Sequence, residues 1–241
     1  MKEKIEKWAE LLAMLKKIVS SAESININSN LYLLLLYFRI IDLSSDLRIA
    51  IQEGLFSSAP IITRSILESL VDFQNLVNNK SYCNQLDLDG FYSTLKMLKE
   101  YKANPDNPYL SMLKEVDIDT NIVELERKIK TIKDGGTISK KISGKFNDAK
   151  GKDVYDSVYN YLCQNTHGNI DNLKSKYLLI NDGEVFIKYP NIENVENMYP
   201  YLDVNVRLLI STSKDIENIF TIFGQENIKC IEKYLKMLKD F

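Results

Sequence analysis

One histidine, His167, and three cysteines are all that 241 residues offer of the side chains that most often bind transition metals. That scarcity removes HExxH zinc chemistry and close cysteine clusters from consideration, and no metal is expected. Cys83, Cys163 and Cys230 lie far apart and are odd in number. They form neither a CxxC pair nor a disulfide framework, so a reducing, cytoplasmic setting is expected. No GxxxxGK loop and no GxGxxG fingerprint occurs. The backbone cradles for nucleotide phosphates are therefore missing, and no cofactor is expected. Long apolar runs are missing too. The greasiest stretch, LYLLLLYF at 31–38, ends at Arg39 and Asp42, well short of the roughly 20 apolar residues that span a bilayer. The opening MKEKIEKWAELLAMLKKIVSS is charged throughout, unlike the unbroken apolar core of a signal peptide. No membrane partner is expected. Charge of one sign is also absent: 31 Lys and Arg face 33 Asp and Glu, for a net charge of −2. A dedicated DNA-binding surface would show a clear basic excess, so only local contact with RNA stays open.

What is present is helical periodicity. Apolar residues make up 45% of the chain and charged ones 27%, a globular balance that permits one well-buried domain over 1–241. Ile5, Trp8, Leu11, Leu12, Leu15, Ile18 and Val19 repeat at helical spacing over 3–20. A second helix is expected from Leu31 to about Phe56, with Asn28 to Asn30 offering N-caps. A third is expected to about Val77, with Ser57 and Ser58 as caps and Pro60 in its first turn. Its stripe is Ile62, Ile66, Leu67, Leu70, Phe73, Leu76 and Val77. These two apolar helices predict the centre of an antiparallel bundle, an all-α fold. Weaker signals place a short helix at Phe91–Tyr101, another at Tyr109–Ile132, and a polar loop or short turns from Ser139 to Lys152. A further helix is expected over Asp153–His167, stopped by Gly168. YLLINDGEVFIKY, 177–189, reads as a small β-hairpin turning on Asn181-Asp182-Gly183. Helices at 201–223 and 227–238 complete the chain.

Two groups of residues can carry chemistry. His167 is the one side chain suited to moving a proton near neutral pH. It follows Cys163 by four residues and Asn160 by seven, so the three share a helix face. A hydrogen bond to a neighbouring helix, or interaction with the helix C-terminus, competes with acid–base catalysis as its role. A nucleophilic Cys163–His167 pair lacks any third orienting group. Arg64 and Glu68 in TRSILE are four residues apart on one helix face. Because that helix is otherwise apolar, partial burial is expected, and Glu68 is the nearest acceptor for the guanidinium. A structural ion pair and a phosphate-binding site are the two readings. Asp46, Arg48, Glu53 and Arg39 could extend the network. The tyrosines Tyr155, Tyr159 and Tyr161 are read as packing residues with hydroxyls at polar edges.

GLFSSAPIITRSILESLVDF, 54–73, and VYDSVYNYLCQNTHGNIDNL, 154–173, resemble two blocks of an uncharacterised bacterial family of helical proteins, a domain-of-unknown-function group similar to HEPN-type proteins. The first block matches its Arg-Ser-x-x-Glu helix. The second matches its Tyr-x-x-Leu-Ser/Cys helix that ends in histidine and a small residue. The likeness covers residues 30–175, leaving 176–241 as hairpin and C-terminal helical extension. It implies a HEPN-like helical bundle in which the Arg64–Glu68 helix meets the His167 helix. It also implies a role in antiviral defence or toxin–antitoxin systems, homodimerisation, and metal-independent ribonuclease activity. In that reading His167 transfers a proton, Arg64 stabilises phosphate charge and Glu68 orients Arg64, while Tyr161 or Asn160 positions the RNA backbone. The usual HEPN signature places arginine a few residues ahead of histidine, whereas here the arginine before His167 is Arg127. Arg64 can supply the cation only if the two helices pack together. A non-enzymatic regulatory subunit with an RNA or protein partner, its Arg/Glu/His network structural, is the alternative.

Overall fold

The computed structural model describes residues 2–20, 31–166, 168–181, 184–188, 195–220 and 224–239. His167, the Asn28–Asn30 caps and the Asp182-Gly183 turn lie outside the described residues. In chain order come α1 (Lys2–Ser20), α2 (Leu31–Gln52), α3 (Ser58–Asn78), α4 (Cys83–Ala103), α5 (Ile118–Asp134) and α6 (Ile142–Asp148). They are followed by a single turn α7 (Lys152–Val154), a π-helical turn (Tyr155–Tyr159), α8 (Asn160–Thr166) and α9 (Ile170–Tyr177). The hairpin strands β1 (Leu178–Asn181) and β2 (Glu184–Ile187), then α10 (Tyr199–Phe220) and α11 (Gly224–Lys239), complete the described chain. The protein is all-α with one small antiparallel hairpin, in which Leu178 pairs with Ile187 and Asn181 with Glu184.

The α2–α3 pair makes the most extensive helix–helix contact. Leu33, Leu34, Tyr37, Ile40, Ile41, Leu47 and Ile51 of α2 are buried together with Ile66, Phe73 and Leu76 of α3. Trp8, Leu11 and Leu15 of α1, Leu202, Val206 and Leu209 of α10, and Ile231 of α11 close around them. A buried 2.7 Å hydrogen bond between the hydroxyls of Tyr37 and Ser213 ties α2 to α10. The second helix stops at Gln52, short of the expected Phe56, because Gly54 takes a left-handed φ of +68°. The Leu55 amide donates to the Ala50 carbonyl and the Gly54 amide to that of Ile51, the paired bonds of a Schellman cap. Ser57 makes no capping bond to α3; its hydroxyl accepts from Lys176 Nζ at 2.8 Å.

Away from this core, α4 and α5 form a helical hairpin around Leu88, Leu95, Leu98, Ile122 and Ile129. The expected helix at 91–101 extends to Cys83–Ala103. The one expected over 109–132 divides into a 3₁₀ turn, Pro108–Leu113, and α5, where the Asp117 carboxylate accepts from the Thr120 amide. The 139–152 segment, read as a loop or short turns, contains the seven-residue α6, whose Phe146 is buried against α3.

Candidate functional site

α3 serves two packing partners at once. One face enters the α2 core, and Leu67 and Val71 on another bury against Phe146, Tyr159 and Leu162. Val154 neighbours Leu70, Val71 and Gln74, whereas Leu162 neighbours Thr63, so α8 runs antiparallel to α3. Between these faces, Arg64, Glu68 and Asp72 recur every four residues and form a polar stripe along the helix.

Arg64 Nε donates to Glu68 Oε1 at 3.0 Å, and the Tyr159 hydroxyl donates to the same oxygen at 2.7 Å. The guanidinium also lies 5.3 Å from the centre of the Tyr159 ring, within cation–π range. That ring is 2% exposed. It stacks on Tyr155 at 5.3 Å and meets Phe146 at 5.0 Å. The π-helical turn spanning these tyrosines is a feature often found at functional sites. Burial works against the charge of Arg64, but its contacts with Tyr159 and Glu68 outweigh it and hold its pKa above the ordinary arginine value. Burial first, then the hydrogen bond to anionic Glu68, push the Tyr159 hydroxyl well above the usual tyrosine range. Arg64 is thus a fixed, oriented cation whose carboxylate partner is shared with a buried phenol.

One turn further along the stripe lies a second cluster. Lys145 Nζ sits 3.1 Å from Asp72 Oδ1 and 2.8 Å from Asp89 Oδ2, with its side chain only 12% exposed. The Tyr82 hydroxyl donates to Asp72 at 2.6 Å, and Gln85 Nε2 to Asp89 at 2.7 Å. Asn75 Nδ2 donates to the Lys145 carbonyl, fixing α6 on α3. Burial opposes the Lys145 charge, yet the two carboxylates raise its pKa above the ordinary lysine value.

Of the residues singled out by sequence, the structure brings Arg64 and Glu68 into direct contact, and α3 packs against the helix that ends at Thr166. Asn160 is exposed at the start of α8. Tyr161 lies apart from the Arg64 cluster and lines a cleft with Thr63. Cys163 is a half-buried, unbridged thiol. Arg48 bonds Gln52 on its own helix. The tyrosine at the cluster is Tyr159, the first residue of the Tyr-x-x-Leu-Cys motif, Tyr159 to Cys163. The motif itself was the signal that could have selected it. Lys145, Asp72 and Asp89 had a fainter signal, the four-residue step from Glu68 to Asp72. Among the described residues, no three His, Cys, Asp or Glu side chains gather as metal ligands. No described helix is long and apolar enough to cross a membrane.

The model of a family of unknown function, DUF5677, matches residues 30–185. The chain belongs to this family. The match begins beside α2 and ends in β2, so the DUF5677 region contains α3, both polar clusters and the helix carrying Tyr159, while α1, α10 and α11 lie outside it. No curated protein and no solved structure matches the chain.

Proposed function

We propose that this DUF5677 protein is a HEPN-like, cytoplasmic component of a bacterial defence or toxin–antitoxin system, and that it cleaves RNA without a metal at the seam of α3 and α8. The observation supporting this reading is the fixed Arg64 cation, held by Glu68 and Tyr159 against the helix that ends one residue before His167. In the reaction, the RNA 2′-oxygen attacks the adjacent phosphorus and His167 takes the hydroxyl proton. The bond to the 5′-oxygen breaks, that oxygen takes a proton from solvent, and a 2′,3′-cyclic phosphate and a 5′-hydroxyl remain. Arg64 stabilises the charge that builds on the phosphate, with Glu68 orienting it. Asn160 and Tyr161, both exposed on α8, position the backbone. The nucleophile belongs to the RNA, so the chemistry requires no cofactor.

A specific observation favours a second reading, a non-enzymatic subunit. Arg64 is already paired with Glu68, and the pair with Tyr159 clamps two helices together. A protein partner or second copy has an apolar surface available in either reading: Leu179, Ile180, Val185, Phe186 and Ile187 of the hairpin are all exposed, and homodimerisation through it belongs to the proposal.

The test is total RNA integrity and growth after controlled expression of wild type and a folded His167→Ala variant. Fragmented RNA and arrested growth with wild type alone support the ribonuclease. Intact RNA with both proteins, at confirmed soluble expression, selects the interaction subunit. Equal fragmentation by both removes His167 from the mechanism.

A further inference from the structure

We propose that the basic segment 127–152, which runs from the end of α5 through the linker 135–141 and α6 to the start of α7, binds the phosphate backbone of single-stranded RNA. Nine Lys and Arg stand against two Asp in these 26 residues. That is a net charge of +7 in a chain of net −2, so the remaining residues together carry −9. The near-neutral total conceals a segregation of sign. A solvated helix face ordinarily mixes charges of both signs, whereas a one-sign field of this kind attracts polyanions.

Six of the nine cations are open to a ligand. Arg127, Lys130, Lys133, Lys141, Lys150 and Lys152 are exposed, and none makes an ion pair among the described residues. The fold uses the other three: Lys128 pairs with Glu124, Lys140 with Asp148, and Lys145 with Asp72 and Asp89. Asp134 is the one carboxylate of the segment without an ion pair among the described residues. Lys150 supplies an independent observation. It follows α6 with a left-handed φ of +58°, the one non-glycine residue among those described with such a backbone. The Gly151 amide donates to the Phe146 carbonyl and the Lys150 amide to that of Asn147, a cap that glycine closes without strain. A lysine there holds out an exposed cation against the local backbone preference, the kind of strain that clusters at functional positions.

The fold gathers the segment beside the Arg64 stripe. Lys128 lies 5.8 Å from the centre of the Phe91 ring. Two positions earlier on α4, Asp89 accepts from Ser139 at 3.4 Å and pairs with Lys145 at 2.8 Å. The end of α5, the linker and α6 thus meet around one turn of α4. α6 then places Phe146 against Tyr159, whose ring also faces Arg64, so the segment borders the α3–α8 seam. Its free cations are spread over α5, the linker and the turn after α6 rather than converging on one point, which suits a chain of phosphates better than one compact anion. The choice of RNA among anionic polymers rests on the proposed function; binding itself does not require cleavage.

The test follows the fluorescence anisotropy of a labelled, mixed-sequence single-stranded RNA of about 20 nucleotides, in the His167→Ala background, across about 50–200 mM salt. Saturable binding is expected, with log K falling against log salt at a slope of about −4 for six phosphate contacts. Lys133→Gln, Lys141→Gln and Lys150→Gln together should weaken binding at least about tenfold and reduce the slope by about 2. The same loss of charge at exposed Lys17, Lys114 and Lys233, outside the segment, should stay within about twofold. Lys150→Gly alone should weaken RNA binding about threefold while its urea midpoint holds or rises, a pairing that loss of fold cannot produce. Cooperative unfolding of each variant establishes its fold, and Lys152→Gln replaces Lys150→Gln if the cap does not tolerate the change. Absence of saturable binding, equal losses in the two triple variants, or loss of self-association in place of RNA affinity overturns the proposal, the last assigning the segment to the acidic surface of a second copy. Cleavage is read separately with wild type. RNA bound through the segment but left intact removes the ribonuclease and keeps the surface; cleavage with binding indifferent to the three lysines does the reverse.

Discussion

Glu68 is the acceptor on which the α3–α8 seam depends, and a double-mutant cycle with Tyr159 measures that dependence. Glu68 Oε1 accepts from both Arg64 and Tyr159, at 3.0 and 2.7 Å. Tyr159 is 2% exposed, while the Arg64 and Glu68 side chains are 20% and 37% exposed. Glu68→Ala takes the acceptor from the buried phenol's proton while the phenol oxygen keeps its hydrogen bond with Arg64, a loss of about 1–2 kcal/mol. Arg64 retains the Tyr159 ring and some solvent, so its share falls at the low end expected of exposed pairs, below about 1 kcal/mol. The sum is a destabilisation of about 1–3 kcal/mol. Tyr159→Phe keeps the ring packing on Phe146 and Tyr155 and removes one hydrogen bond to a charged acceptor, about 1.5 kcal/mol. In the Glu68→Ala background the same change removes a hydroxyl whose proton has lost its acceptor, and should be neutral or slightly stabilising. The coupling energy is therefore about 1.5–2 kcal/mol. Urea unfolding of the four proteins at pH 7 reads it directly from the midpoints and slopes. Equal losses for Tyr159→Phe in both backgrounds would refute the shared-acceptor account.

Other perturbations follow from the remaining polar groups. Lys145→Met leaves Asp72 and Asp89 facing each other without their cation and should cost about 2–4 kcal/mol by urea unfolding, discounted from a fully buried pair because Asp89 is partly exposed; a loss below about 0.5 kcal/mol would show that the bridge is merely superficial. Thr63→Val should raise stability by about 1 kcal/mol because it removes a buried hydroxyl with no hydrogen-bond partner among the described residues, and a loss of stability would mean that the hydroxyl is satisfied. Burial raises the Asp215 carboxyl above its ordinary value, so its ionisation opposes folding at pH 7. Asp215→Asn should accordingly raise the melting temperature at pH 7, and the gain should vanish below about pH 4, where the aspartate is protonated in both folded and unfolded chains. A gain independent of pH would point to packing instead.

The sequence disclosed elements that owe their helicity to a dense apolar stripe and concealed those that owe it to their neighbours. α2 and α3 carry apolar residues at every turn, so their existence and pairing were legible, and only the Gly54 cap moved an end. α6 has seven residues and one deeply buried anchor, Phe146. Too short to persist alone, it is held by Asn75 and by Asp72 acting on Lys145, bonds that cross some 70 positions of sequence. The same division applies at the site. Arg64 and Glu68 are partners at helical spacing, and the spacing announced them. Tyr159 reaches Glu68 across 91 positions, so only its place at the head of the Tyr-x-x-Leu-Cys motif distinguished its hydroxyl from those of Tyr155 and Tyr161. The extra residue in the π-helical turn shifts which tyrosine faces which helix, and an ideal 3.6-residue wheel cannot anticipate that shift.

The Arg64 cluster also contains the means of separating the two functional readings, because they disagree about what Glu68 does. If Arg64 serves RNA phosphate, Glu68 is both its orienter and an anion competing for the same guanidinium. Glu68→Ala should then increase affinity for single-stranded RNA, with a steeper salt dependence, and at the same time reduce cleavage because the guanidinium loses its orientation. If the cluster is a helix clamp, the substitution lowers stability and leaves RNA affinity unchanged. Binding is best measured in the His167→Ala background, so that the RNA survives the experiment. Stability falls under both readings and cannot decide between them; the sign of the affinity change does. A rise in affinity assigns the stripe on α3 to an anion, and no change assigns it to the fold.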